Sequence, residues 1–80
     1  MSFAKTEPEW AERASRHLKA ELKRAGITYA GLAILLKKHG LRDETKASVS
    51  SKLVRGTFTS IFFLASEVAI GREDVRLEDI

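Results

Sequence analysis

The sequence predicts an all-α fold: a single domain over residues 1–80, built as a bundle of four or five helices. Four segments repeat apolar residues at the three- and four-residue spacing of a helix that buries one face. They cover about 7–25, 29–39, 46–55 and 60–70. A glycine follows each segment, and helices often end on a left-handed glycine; these are Gly26, Gly40, Gly56 and Gly71. Eighty residues supply one small core, and a short tail over 72–80 ends the chain.

The first helix is predicted to begin after Thr6. In TEPE, the Thr6 hydroxyl can accept from the N–H of Glu9 while the Glu9 side chain reaches back, which is a capping box. The buried stripe is expected to consist of residues four apart: Trp10, Ala14, Leu18 and Leu22. The charged side chains of this helix, including Glu21, are expected to lie in solvent.

The second helix is predicted to begin after Thr28, and a connection with the sequence LRDET leads to a third helix capped by Thr45. The second helix has a wide apolar face, which favours packing against more than one neighbour. Gly31 lies inside it, where glycine costs about 1 kcal/mol relative to alanine. We interpret Gly31 as allowing another backbone, that of a neighbouring helix or of a nucleic acid, to come close.

The fourth helix, SIFFLASEVAIG, is apolar almost all round. Its inner stripe is expected to be Ile61, Leu64, Ala65 and Val68. So apolar a helix is either central to the core or partly covered by a second subunit, and we expect a homodimer. The tail, REDVRLEDI, fits either a short strand or a last helical turn.

The charge is unevenly distributed along the chain. Residues 37–56 carry a net charge of +4, whereas residues 66–80 carry −3. The positive segment favours a polyanion as partner, although an ordinary solvated face has the same composition.

The third helix has an unusual surface. Val49 and Leu53 are one turn apart and are expected to face inward. The outward stripe is then Ser48, Ser51, Lys52 and Arg55. Small hydroxyls followed by longer cations fit the major groove of double-stranded DNA, where hydroxyls reach phosphates or base edges and cations reach guanine. The alternative is a solvated, serine-rich helix.

The segments TYAGLA, KLVRG, FFL and AIG together resemble the phage-repressor, or Cro/Xre-like, helix-turn-helix domains. This resemblance implies a lambda-repressor-like helix-turn-helix fold and a small bacterial or phage transcriptional regulator that inserts its third helix in the major groove. The same pattern is also similar to a small bacterial domain family of uncharacterised function. In that family a tight turn joins the second helix to the third. Here the second helix and the LRDET connection are longer than that arrangement has.

The resemblance also implies roles for particular residues. Tyr29 would contact a phosphate at the start of the second helix, with Lys37, Lys38 and Arg42 neutralising phosphates nearby. The groove-facing set would be Lys46, Ala47, Ser48, Ser51 and Lys52, to which the charge pattern adds Arg55. The alternative function is a protein-interaction module, an adaptor or antitoxin-like partner that has the same fold but does not recognise DNA.

The residues that catalysis or metal binding would need are few. The chain has no cysteine, and His17 and His39 lack the spacing of metal ligands. No phosphate-binding loop or nucleophile motif is present. We therefore expect no enzymatic activity, no metal and no cofactor. Without a long apolar run or a signal sequence, we expect a cytoplasmic protein that does not enter membranes.

Overall fold

The computed structural model describes residues 3–80; Met1 and Ser2, which the predicted domain includes, lie outside the described residues. Within them the chain forms α1 (Glu7–Ala25), α2 (Tyr29–Lys38), α3 (Lys46–Arg55) and α4 (Ser60–Ile70), then a 3-10 turn at Leu77–Asp79, and no strand. The all-α fold class is confirmed, and the tail ends in a helical turn. No single helix in residues 3–80 is long and apolar enough to cross a membrane. Helices α3 and α4 meet that criterion only when they are taken together, and the chain bends by 114° between them.

Each α-helix begins after a threonine whose hydroxyl accepts a backbone hydrogen bond three residues later; the four are Thr6, Thr28, Thr45 and Thr59. Thr6 forms the predicted bond from the Glu9 N–H at 3.3 Å. The Glu9 carboxylate, however, accepts from the Thr6 hydroxyl and the Lys5 N–H, not from the Thr6 N–H. The local sequence therefore determines where the helices begin.

The core consists of eight side chains drawn from all four helices. They are Leu18, Leu22, Leu32, Ala33, Leu36, Val49, Leu53 and Phe62. Both α1 and α2 pack against α3 and α4. This arrangement places α3 with one face on the core and the other in solvent, as its periodicity predicted.

The buried face of α1 differs from the predicted stripe. Trp10 is not core: it is 45% exposed and stacks on Phe3 at a centroid distance of 6.4 Å. The contact face instead includes the small residues Ala11 and Ser15 near the helix start. The Ser15 hydroxyl donates to the Leu53 carbonyl, which lies in the last turn of α3 and has no partner within that helix. The first two turns of α1 thus pack through small groups.

The close backbone approach predicted at Gly31 occurs at Gly56 instead. A Cβ on Gly31 would meet only the side chains of Thr28 and Ile27, the former at 3.2 Å. A Cβ on Gly56 would overlap the backbone carbonyl of Ala11. Gly56 also has φ +68, so it ends α3 in a left-handed conformation and lets that end lie directly on α1.

The inner face of α4 is rotated from the predicted one, and Ala65 is the member of the predicted stripe that packs against the core. Ile61, Leu64 and Val68 are each more than half exposed, whereas Phe62 is buried. Ser66 and Glu67, the polar residues of the helix interior, are buried beside it. Because α4 is apolar nearly all round, its periodicity could not distinguish the two faces. In this orientation the ring of Phe62 joins the core and packs against Phe58 at a centroid distance of 5.3 Å.

Candidate functional site

The start of α3 is a helix N-terminus capped by reciprocal hydrogen bonds between Thr45 and Ser48. The Thr45 hydroxyl accepts from the Ser48 N–H at 3.1 Å, and the Ser48 hydroxyl accepts from the Thr45 N–H at 2.8 Å. The N–H groups of Lys46 and Ala47 have no hydrogen-bond partner within residues 3–80. The first turn contains no acidic residue, but the carboxylate of Glu44, just before the cap, accepts a hydrogen bond from the Ser48 hydroxyl and offsets part of the positive charge of this helix end.

Four exposed cations lie along the chain from the last turn of α2 to the first residue of α3, and we call them the basic surface: Lys37, Lys38, Arg42 and Lys46. The first two are in the last turn of α2, Arg42 lies in the connection over residues 39–45, and Lys46 begins α3. None of the four forms an ion pair in the described part of the chain. These four predicted residues are thus exposed and have no ion-pair partner within residues 3–80, and Ala47 is exposed as well.

Two members of the predicted outward stripe are engaged within the protein. Lys52 Nζ lies 2.5 Å from a carboxylate oxygen of Glu44 and 5.2 Å from the ring centroid of Phe62. The Ser48 hydroxyl lies 2.7 Å from the other oxygen of Glu44. Both side chains are half-buried, whereas Ser51 is exposed. Glu44 therefore neutralises one cation of α3 and restrains two side chains that were predicted to face DNA.

The remaining predicted residues, Tyr29 and Arg55, lie apart from the basic surface. Tyr29 packs partly against the core. Arg55 is exposed at the far end of α3, nine residues and about 14 Å from Lys46. It lines a cleft between α1 and the end of α3, together with Val54 and Thr57.

A group of buried titratable residues lies between α1 and α4. We call it the buried cluster: His17 and Glu21 from α1 and Glu67 from α4. His17 Nε2 lies 3.1 Å from Glu21 Oε1 and 3.4 Å from Glu67 Oε1. The two glutamates are only 2% and 4% exposed. Arg72, just beyond α4, places its Nε 3.2 Å from Glu21 Oε2.

The buried cluster changes the acidity of Glu67. The pKa of Glu67 is raised from 4.5 to about 8. Burial is the largest cause, a proton shared with Glu21 and the negative charge of Glu21 act in the same direction, and the charge of Arg72 opposes them. Apart from that shared proton, His17 Nε2 and all four carboxylate oxygens have no hydrogen-bond partner within residues 3–80. Atoms of this kind are rare in protein interiors.

A cleft opens beside the buried cluster and is lined by cationic side chains. His17 forms part of its wall, and the arginines around it are Arg13, Arg16, Arg24 and Arg72. Arg13 donates to the carbonyl of Ile80 at 3.5 Å, so the tail forms one edge. His17 thus lines the cleft, although its Nε2 is buried.

The sequence interpretation missed the buried cluster because it placed Glu21 in solvent, which is wrong. The four-residue spacing of His17 and Glu21 was a signal for their contact. A second signal was Glu67, an acid within an otherwise apolar helix. Predicting that the three residues meet would have required knowing which faces of α1 and α4 pack together, and this depends on the tertiary structure.

Comparison with known proteins gives one match. The model of a family described as a domain of unknown function (DUF6471) matches residues 10–75. No curated protein and no solved structure matches the chain. The matched range includes all four α-helices except the first turn of α1, and it includes both the basic surface and the buried cluster.

Proposed function

The chain belongs to the DUF6471 family, and we propose that it is a DNA-binding protein, a small transcriptional regulator in which α2 and α3 act as a helix-turn-helix pair of the lambda-repressor type. The observation that carries the proposal is the basic surface around the start of α3. Four exposed cations without ion-pair partners in residues 3–80 lie along the chain between the last turn of α2 and the first residue of α3, and two N–H groups at the start of α3 have no hydrogen-bond partner in the same residues. Phosphates are the natural ligands of such a surface.

The placement of α3 supports the same function. Val49 and Leu53 anchor it to the core, and this leaves Ala47 and Ser51 exposed on the opposite face. Small side chains allow a helix to enter the major groove closely, and a hydroxyl can bond to a phosphate or a base edge. The groove-facing set that we now propose is Lys46, Ala47 and Ser51, with the basic surface on the flanking phosphates.

Lys52 has a conditional role in this mechanism. It must leave Glu44 to reach a guanine, so its contact with DNA is made at the cost of an ion pair with partly buried partners. We therefore expect Lys52 to contribute less to affinity than an exposed lysine of the basic surface.

A homodimer is part of the proposal. One domain of this size makes few contacts with DNA, and useful affinity normally requires two half-sites. The exposed side chains of Ile61, Leu64 and Val68 form an apolar stripe along α4. Apolar stripes of this kind on small proteins often mark an interface.

That same stripe favours a second candidate function. An adaptor or antitoxin-like module would bind another protein through α4, and the exposed Val54 adds apolar area on α3. In this case the basic surface would contact an acidic protein partner.

The test is a fluorescence-anisotropy titration of the protein against random duplex DNA at two salt concentrations. Lys37→Ala should weaken binding to all sequences and lower the salt slope by about one unit, because one phosphate contact is lost. The matched control is Lys19→Ala, an exposed lysine on α1, which should leave the slope unchanged. Both variants should keep wild-type helicity by circular dichroism.

Salt-independent or undetectable binding of the folded wild type to any duplex at low ionic strength would exclude DNA as the partner. Equal effects of Lys19→Ala and Lys37→Ala would mean that binding reflects net charge, not the basic surface.

A further inference from the structure

The atoms of the buried cluster have the arrangement of metal ligands. His17 and Glu21 are one turn apart on α1, and Glu67 reaches them from α4. In a tetrahedral site with bonds of about 2.0–2.2 Å, neighbouring ligand atoms are roughly 3.3–3.6 Å apart. His17 Nε2 lies 3.1 Å from Glu21 Oε1 and 3.4 Å from Glu67 Oε1, close to that spacing.

The same atoms lack other partners. His17 Nε2 and the carboxylate oxygens of Glu21 and Glu67 are buried without a hydrogen-bonded group in residues 3–80, the shared proton excepted. Two carboxylates and an imidazole converging in a protein interior are costly to desolvate unless something compensates them. A dication placed between the three residues would interact with one atom of each: His17 Nε2 and one carboxylate oxygen of Glu21 and of Glu67.

Arg72 occupies the position of a supporting residue. Its Nε lies next to Glu21 Oε2, whereas Glu21 Oε1 faces His17. The two oxygens of Glu21 thus point to different partners, one to the arginine and one to the centre of the buried cluster. Metal-binding carboxylates are commonly held in this way by an outer group.

From this geometry we propose that His17, Glu21 and Glu67 bind a divalent transition-metal ion of the zinc type, each contributing one atom. A ligand set of one imidazole and two carboxylates suits Zn²⁺ and its neighbours, whereas Ca²⁺ takes six to eight oxygens. Three protein ligands leave a fourth position for water. The ion would join α1 to α4.

The experiment uses the untagged full-length protein, purified with a chelator that is then removed. Zn²⁺ is titrated by calorimetry, with Mg²⁺ as the comparison ion. The expected result is one Zn²⁺ per chain with a roughly micromolar or lower dissociation constant, a rise in melting temperature, and no response to Mg²⁺. Glu67→Gln should weaken Zn²⁺ binding at least tenfold while keeping wild-type helicity. Glu73→Gln, an exposed acid, should bind as the wild type does.

A second variant keeps the test valid if Glu67→Gln fails to fold. The chain has two histidines, and His39 is exposed, so His39→Gln leaves His17 as the remaining imidazole. X-ray absorption of this variant loaded with Zn²⁺ should show one imidazole and oxygen ligands at about 2.0–2.2 Å.

Three outcomes would overturn the proposal. The first is the absence of stoichiometric Zn²⁺ binding by the wild type. The second is binding that His39→Gln abolishes, which would place the ion on the surface. The third is a zinc spectrum without imidazole in the His39→Gln protein. The buried cluster would then be a proton-sharing pair of carboxylates next to a histidine.

Discussion

The substitution Glu67→Gln should remove most of the pH dependence of stability between pH 4.5 and about 8. Glu67 is buried beside Glu21, and its pKa is raised from 4.5 to about 8. The folded protein therefore keeps a proton that the unfolded chain has already released in this range. Because the folded state binds more protons, the free energy of unfolding falls as the pH rises from 4.5 to about 8 and then levels off.

The magnitude follows from the shift. Each pH unit in this window corresponds to about 1.4 kcal/mol. At pH 7 the wild type should be less stable than at pH 4.5 by about 3 kcal/mol on account of Glu67. That is a large part of the total stability of a domain of this size. Glutamine resembles the protonated acid in shape and can donate to Glu21, but it does not ionise, so the variant should not show this loss.

The assay is urea unfolding of both proteins in the presence of a chelator, followed by far-ultraviolet circular dichroism at several pH values from 4.5 to 8.5. The difference in unfolding free energy, variant minus wild type, should grow steadily with pH. Glu73→Gln, at an exposed position, should show a constant difference. A difference between Glu67→Gln and wild type that does not change with pH would refute the reasoning, because Glu67 would then titrate alike in both states.

Three further predictions concern packing and assembly. Leu53→Ala should lower the free energy of unfolding by about 2–5 kcal/mol in the same urea assay, because Leu53 is fully buried. Ser51→Ala, at an exposed position, should change it little, and the reverse order of effects would mean that α3 is rotated from the described orientation. Gly56→Ala should lower the melting temperature much more than Gly26→Ala, because both glycines have positive φ but only at Gly56 would a Cβ overlap the backbone of α1. Equal losses would show that Gly56 does not lie close to the backbone of Ala11. Light scattering should give twice the monomer mass for the wild type and the monomer mass for Leu64→Lys, which places a charge in the exposed stripe of α4; a monomeric wild type at all concentrations would exclude the dimer.

The basic surface illustrates what a charge pattern does and does not predict. Lys37, Lys38, Arg42 and Lys46 are exposed, as a run of cations at the end of one helix and the start of the next usually is. Lys52 belonged to the same pattern but turns back to Glu44. The position of a residue in a helical stripe predicts the direction in which its side chain leaves the helix axis. It does not predict which partner a long, flexible side chain will contact.

The sequence by itself determined the four helices and their ends. Threonine hydroxyls that cap the backbone, together with left-handed glycines such as Gly26 and Gly56, act within one turn of the chain. A pattern of neighbouring residues is enough to predict such contacts. The inward direction of Val49 and Leu53 was predictable for the same reason, since α3 has a single apolar face.

Only the tertiary structure decided which face of α4 is buried and what lies between α1 and α4. In a helix that is apolar nearly all round, burial of Phe62 or of Leu64 satisfies the same periodicity, and the choice depends on the shape of the neighbouring side chains. That choice brings Glu67 to His17 and Glu21, fifty and forty-six residues earlier in the chain. Contacts between residues so far apart have no local signal, because they arise only when two helices pack at one particular rotation.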